Sequence, residues 1–163
     1  METEKRILVA IDLNFETSLV LTQAAYFFRE NSTKFYILHV ISSDLFSIIN
    51  KKTKLQVRMK ETYRTVEGEL KKSGLQYLNY EIFISYGFPA AEIINFSRKH
   101  GSDLIVIGTH QRIGFKEFIS GSVSFAVAKN SAYPVLLIPL KNPIKLSKEE
   151  LTKESAVSLV NPS

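Results

Sequence analysis

The chain contains no cysteine. A disulfide framework, a thiolate nucleophile and a cysteine-ligated zinc site are therefore excluded. Long apolar runs are absent too, and none approaches the ~20 residues of a membrane-spanning helix. The charged start Met1–Arg6 leads only into the short apolar stretch Ile7–Ile11 before Asp12. That is too little for the apolar region of a secretory signal. A soluble, cytoplasmic protein is the expectation. Three nucleotide or hydrolase motifs are also missing: the Walker lysine loop, the dinucleotide Gly-x-Gly-x-x-Gly and the Gly-x-Ser-x-Gly elbow. Without the elbow, Ser122 is not read as a nucleophile. The histidines at positions 39, 100 and 110 do not have metal-ligand spacing.

What remains has ordinary globular composition, with 163 residues, 45% hydrophobic and 23% charged. That length suits one domain with a real core. The formal net charge of +5 allows weak attraction to anions. The positive residues are spread along the chain, however. The densest group, Lys51, Lys52, Lys54, Arg58 and Lys60, alternates with apolar residues and reads as a solvated helix face. Nucleic acid is not the expected partner.

Five apolar runs have strand length: Ile7–Ile11, Phe35–Ile41, Leu78–Ile84, Leu104–Ile107 and Val135–Ile138. Four are nearly continuous, as in strands covered on both faces. The third alternates and predicts an edge strand with one wetter face. Helical patterns separate the runs. Phe15–Glu30 carries Val20, Ala24 and Phe27 on one stripe, with Leu21, Ala25 and Phe28 beside it and Asn14 as N-cap. Lys51–Lys72 places Leu55, Met59, Val66 and Leu70 at helical spacing and ends at Gly74. Phe88–His100 ends in a basic turn followed by Gly101. A fourth helix carries Val123, Ala126, Val127 and Asn130. The order βαβαβαβαβ predicts a five-stranded parallel sheet with helices on both faces. Such sheets bind ligands beyond the carboxyl ends of their strands, where the strand order reverses. The domain spans residues 1–141. Residues 142–163 form a polar, lysine-rich tail, with a possible helix over Ser147–Val160 started by a Ser147/Glu150 capping box.

The stretch from Leu104 to Val123 carries the functional information. A strand ends, a loop follows, and a helix begins near Gly121-Ser122. Glycines at such places let backbone N–H groups approach an anion, and the helix N-terminus adds a positive dipole. Gly108, Gln111, Gly121 and Ser122 have the spacing Gly, two residues, Gly, nine residues, Gly-Ser, with glutamine at the second position. This resembles the nucleotide-binding signature of the universal stress protein family. The surrounding Gly108-Thr-His-Gln-Arg-Ile-Gly-Phe and the Pro134-Val-Leu-Leu-Ile-Pro run are similar to that family as well. So are Ile7-Leu-Val-Ala-Ile-Asp12, Leu38-His39-Val40 and Gly87-Phe88-Pro89-Ala-Ala-Glu92-Ile-Ile. The resemblance covers about residues 4–140.

The resemblance implies a Rossmann-like fold of the adenine nucleotide alpha hydrolase type. It also implies a stress-response regulatory or adaptor protein that binds ATP or AMP. Carried over, Ala10, Asp12 and Val40 hold the adenosine end. Gly108, Gln111, Gly121, Ser122 and Val123 hold ribose and phosphates, and Arg112 and Lys116 stand where positive charge could help. It further implies a homodimer built on the last strand, Val135–Leu140. Gln111 is the main departure. A side chain in a left-handed conformation costs roughly 1–2 kcal/mol, and that is about tenfold in affinity. A ligand with fewer phosphates, such as AMP, would suffer less. The alternatives are a dimeric adaptor of the same fold that binds no nucleotide and, further off, an enzyme of the adenylyl-transferase type, for which no catalytic motif is present. Any ATP hydrolysis would be slow.

Each singled-out residue also has a plainer reading. Asp12 could be a cap at a strand end. His39 is more often a satisfied core histidine, and His100 suits a helix C-terminus. His110 could be an ordinary loop residue. Gly121-Ser122 could simply start a helix. Phe115 and Phe118 could shield a ligand or anchor the loop.

Overall fold

The computed structural model describes residues 4–14, 16–29, 32–43, 52–110 and 122–140. Within them lie five strands and four helices in strict alternation: β1 Lys5–Ile11, α1 Thr17–Phe28, β2 Thr33–Ser42, α2 Lys52–Lys72, β3 Tyr80–Gly87, α3 Pro89–His100, β4 Leu104–Thr109, α4 Ser122–Asn130 and β5 Val135–Pro139. The strands form one parallel sheet in the order β3-β2-β1-β4-β5. The chain winds outward from β1 to β3, returns across the sheet, and continues through β4 to β5. The strand order therefore reverses between β1 and β4.

The alternation of β1 explains why its run is continuous. Ile7, Val9 and Ile11 pack with Val20, Leu21, Ala24 and Ala25 of α1 and Val66 and Leu70 of α2. Leu8 and Ala10 face the other way, toward Ile93 of α3 and Val127 of α4. Each face of the sheet thus buries alternate residues, and no residue of the run is left for water. β3 lies at an edge with a mostly half-buried pattern, as its alternation predicts.

Helix ends follow their local chemistry. Gly74 takes φ +69, its N–H donates to the Lys71 carbonyl, and the Leu75 N–H donates to the Leu70 carbonyl. This is a Schellman ending, and Leu70 and Leu75 close it in the core. Gly101 ends α3 at φ 61, with its N–H donating to Ser97 O. The Gly87-Phe-Pro-Ala-Ala-Glu92 stretch is explained by packing. Gly87 takes φ +152, Pro89 occupies the first turn of α3, and Glu92 accepts a hydrogen bond from the Ser85 hydroxyl.

Two local expectations differ. The N-cap of α1 is Glu16, not Asn14. The Asn14 side chain instead accepts from the Glu16 N–H at 2.9 Å, forming a turn ahead of the helix. Phe27 is 46% exposed rather than part of the buried stripe, and its ring meets Tyr26 edge-on at 5.3 Å. The tail 142–163, Phe115, Lys116 and Phe118 lie outside the described residues.

Candidate functional site

A cavity of about 560 Å³ opens at the carboxyl ends of β1, β2 and β4. Its floor includes Ala10, Leu38 and Ile107, three neighbours across the strand ends that are themselves buried. Ala10 leaves space where a longer side chain would stand. One wall comes from α1 and α2 on one face of the sheet, the other from α3 and α4 on the opposite face. The volume falls in the range of small-molecule sites.

The sequence singles out nine residues. Ala10, Asp12, Val40, Gly108, Ser122 and Val123 all line this one cavity. Gln111, Arg112 and Gly121 lie outside the described residues. Asp12 is exposed at the end of β1. Its backbone carbonyl accepts from the buried Thr17 hydroxyl at 2.9 Å, which pins the turn between β1 and α1. Ser122 opens α4, so the helix presents its first-turn N–H groups and the positive end of its dipole beside the cavity. Gly108 is needed for space: an added Cβ would stand 3.0 Å from Val20 Cγ2 and 3.1 Å from Leu140 Cδ1.

Other groups in the cavity carry no motif. Glu16 and Thr17 come from the start of α1, Arg58 and Thr62 from α2, and Ser124 from α4. The Ser124 hydroxyl donates to Thr109 Oγ1 at 3.3 Å, tying α4 to the end of β4. Glu16 Oε2 is buried without a hydrogen-bond partner and lies 3.2 Å from His110 Nε2, at ion-pair distance. This pair spans the cavity from α1 to the residue after β4. His39 also lines it. Its Nδ1 meets the Ile11 carbonyl at 2.9 Å, and because the carbonyl can only accept, Nδ1 donates. His39 is thus satisfied within the sheet, as its plainer reading has it. His100 stands apart, stacked on Phe96 with ring centroids 4.0 Å apart.

These side chains came from helices, and helical phase is what brings them in. A period of 3.6 names a buried stripe, but not which residues at its border meet the strand ends. Among the described residues, no group of three or more histidines and acids could hold a metal ion. None of their helices is long and apolar enough to cross a membrane.

A doubly wound parallel sheet with its cavity at the strand-order reversal defines the class: an α/β protein with a ligand crevice at the switch point. The sequence model of the universal stress protein family matches residues 4–139, and the chain belongs to that family. Universal stress protein MJ0577 of Methanocaldococcus jannaschii is 28% identical over 159 residues, covering 85% of this chain and 96% of that protein. Universal stress protein YxiE of Bacillus subtilis is 30% identical over 145 residues, covering 82% and 97%. Among solved structures, that of MJ0577 superposes with a TM-score of 0.70 at 26% identity, covering 86% of this chain and 99% of that one. The universal stress protein of Archaeoglobus fulgidus in complex with dAMP shares the fold at TM-score 0.57 and 24% identity, covering 82% and 96%.

Proposed function

We propose that this chain binds an adenine nucleotide, with AMP preferred over longer phosphates, and acts as a nucleotide-responsive regulator in the stress response rather than as a catalyst. One observation carries the reading. Six residues drawn from β1 and the residue after it, β2, β4 and α4, far apart in sequence, converge on a single cavity of suitable volume. The dAMP complex of a family member supports an AMP-type ligand. Asp12 and Val40 serve the nucleoside, and Ser122 with the first-turn amides of α4 serves the phosphate. The glutamine at position 111 replaces the second glycine of the family signature, which favours a ligand with a short phosphate chain. The two carboxylates at Asp12 and Glu16 repel extra phosphate charge in the same cavity.

Calorimetry on ligand-stripped protein with AMP, ADP and ATP tests this. AMP is expected to bind, and each added phosphate is expected to weaken binding. Absence of binding for all three would overturn the reading in favour of a dimeric adaptor without nucleotide. We also infer a homodimer paired through β5, supported by the composition of that edge strand and argued below.

A further inference from the structure

Glu16 stands at the N-cap of α1, yet its side chain makes no cap hydrogen bond. A polar side chain at that position ordinarily accepts from the N–H groups of the first turn. Here the backbone starts the helix alone, with the Glu16 carbonyl accepting from the Leu19 and Val20 N–H groups. The side chain lines the cavity instead. Its Oε2 is buried with no hydrogen-bond partner, 3.2 Å from His110 Nε2. The neighbouring Thr17 hydroxyl is committed to the Asp12 carbonyl and does not supply the donor. A buried carboxylate oxygen left this way is costly to the fold. Such a group calls for a donor from outside the chain.

We propose that Glu16 accepts hydrogen bonds from the 2′- and 3′-hydroxyls of the bound sugar, so that the cavity selects ribonucleotides with a free vicinal diol over their deoxy counterparts. This rests on the nucleotide reading of the cavity given above. Placement supports it. Val40 belongs to β2, Ser122 follows β4, and β1 lies between those strands. Two strand spacings, about 10 Å, separate β2 from β4. A nucleotide with its base at Val40 and its phosphate at Ser122 therefore carries its sugar over the end of β1, where Glu16 begins α1. The chemistry matches as well. Each hydroxyl has one proton to donate, and an ionised carboxylate only accepts. Hydrogen bonds to an ionised acceptor are roughly twice as strong as neutral ones. A phosphate is repelled from the same place by like charge. His110 holds the carboxylate from the β4 side and acts as a positioning residue.

The test is calorimetry of AMP, 2′-deoxy-AMP and 3′-deoxy-AMP with full-length, ligand-stripped wild type, Glu16→Ala, Glu16→Gln and Asp12→Asn. Wild type is expected to bind AMP about tenfold more tightly than either deoxy analogue. Glu16→Ala should bring the three affinities together, because the hydroxyls lose their acceptor. Glu16→Gln keeps one carbonyl acceptor without the charge and should leave a smaller preference for AMP. The cap needs no side chain here, so both variants are expected to fold, and urea midpoints check this. Equal weakening of all three ligands in both Glu16 variants, with the ratios kept, would make the residue a structural one and overturn the proposal. A preference lost in Asp12→Asn but kept in both Glu16 variants would give the diol to Asp12 and overturn it as well. Wild type that binds AMP no better than its deoxy analogues overturns this inference and leaves the nucleotide reading standing. Wild type that binds none of the three overturns both.

Discussion

A Cβ added to Gly108 meets Val20 at 3.0 Å and both terminal carbons of Leu140 at 3.1 Å. Val20 is buried in α1, and the Leu140 N–H is held by the Thr109 carbonyl at 3.0 Å. Both side chains must shift by a few tenths of an ångström to admit a methyl group. Gly108→Ala is therefore expected to destabilise the protein by about 1–3 kcal/mol in urea unfolding, as overpacking does. It should also weaken nucleotide binding, because Val20 and Leu140 line the cavity. Unchanged stability would show that the close approach relaxes freely. At this scale the sequence is informative about strand ends and silent about helix flanks. Gly108, Asp12 and Val40 are legible because a parallel strand must deliver its last residues to the crevice. Arg58, Thr62 and Ser124 are not, because a residue at the border of a helical stripe faces either solvent or a strand end according to a rotation that local pattern does not specify. The Glu16–His110 pair joins residues 94 positions apart, and neither had a motif partner to suggest the other.

α2 shows what an element gains from its ends. Its last turns are anchored: Val66 and Leu70 are fully buried, and the Schellman hydrogen bonds carry the chain into Leu75. Its second turn is not: Val57 is 54% exposed. The apolar spacing Leu55, Met59, Val66, Leu70 reads as one uniform stripe in the sequence. In the structure the stripe is buried only where the sheet lies beneath it, with Leu55 and Met59 half-buried. Leu70→Ala is expected to cost about 2–5 kcal/mol. Val57→Ser should change stability by less than about 0.5 kcal/mol, as an exposed site does. Denaturant midpoints of the two variants check the contrast, and similar losses would mean that the second turn of α2 is packed after all. Element order and type were legible along the whole sheet because short apolar runs of strand length alternate with longer segments of period 3.6. The start of α1 was not, because Asn14 and Glu16 both suit a cap and only the Asn14–Glu16 turn decides between them.

The sheet as a whole has two edges, and they differ. β3 carries Glu81, whose carboxylate pairs with Lys34 of β2 at 2.5 Å and holds that ammonium above its ordinary value. A charged residue on an edge strand discourages pairing with another chain. β5, Val-Leu-Leu-Ile-Pro, has no charge, and four of its five residues are only half-buried. An apolar edge of this kind leaves one side of its backbone ladder unpaired and solvates it poorly. A second copy related by a two-fold axis satisfies both needs at once, because antiparallel pairing of identical strands is self-complementary. Pro139 lacks an N–H and bounds the register at one end. The protein is accordingly expected to sediment as a dimer at micromolar concentration. Val135→Lys, which places a charge at the start of the edge, should shift it toward monomer without abolishing the fold. Only monomer in the wild type would remove β5 as an interface. Dimer persisting unchanged in Val135→Lys would place the interface on another surface, with the exposed aromatics Tyr63 and Phe125 on α2 and α4 the next to substitute.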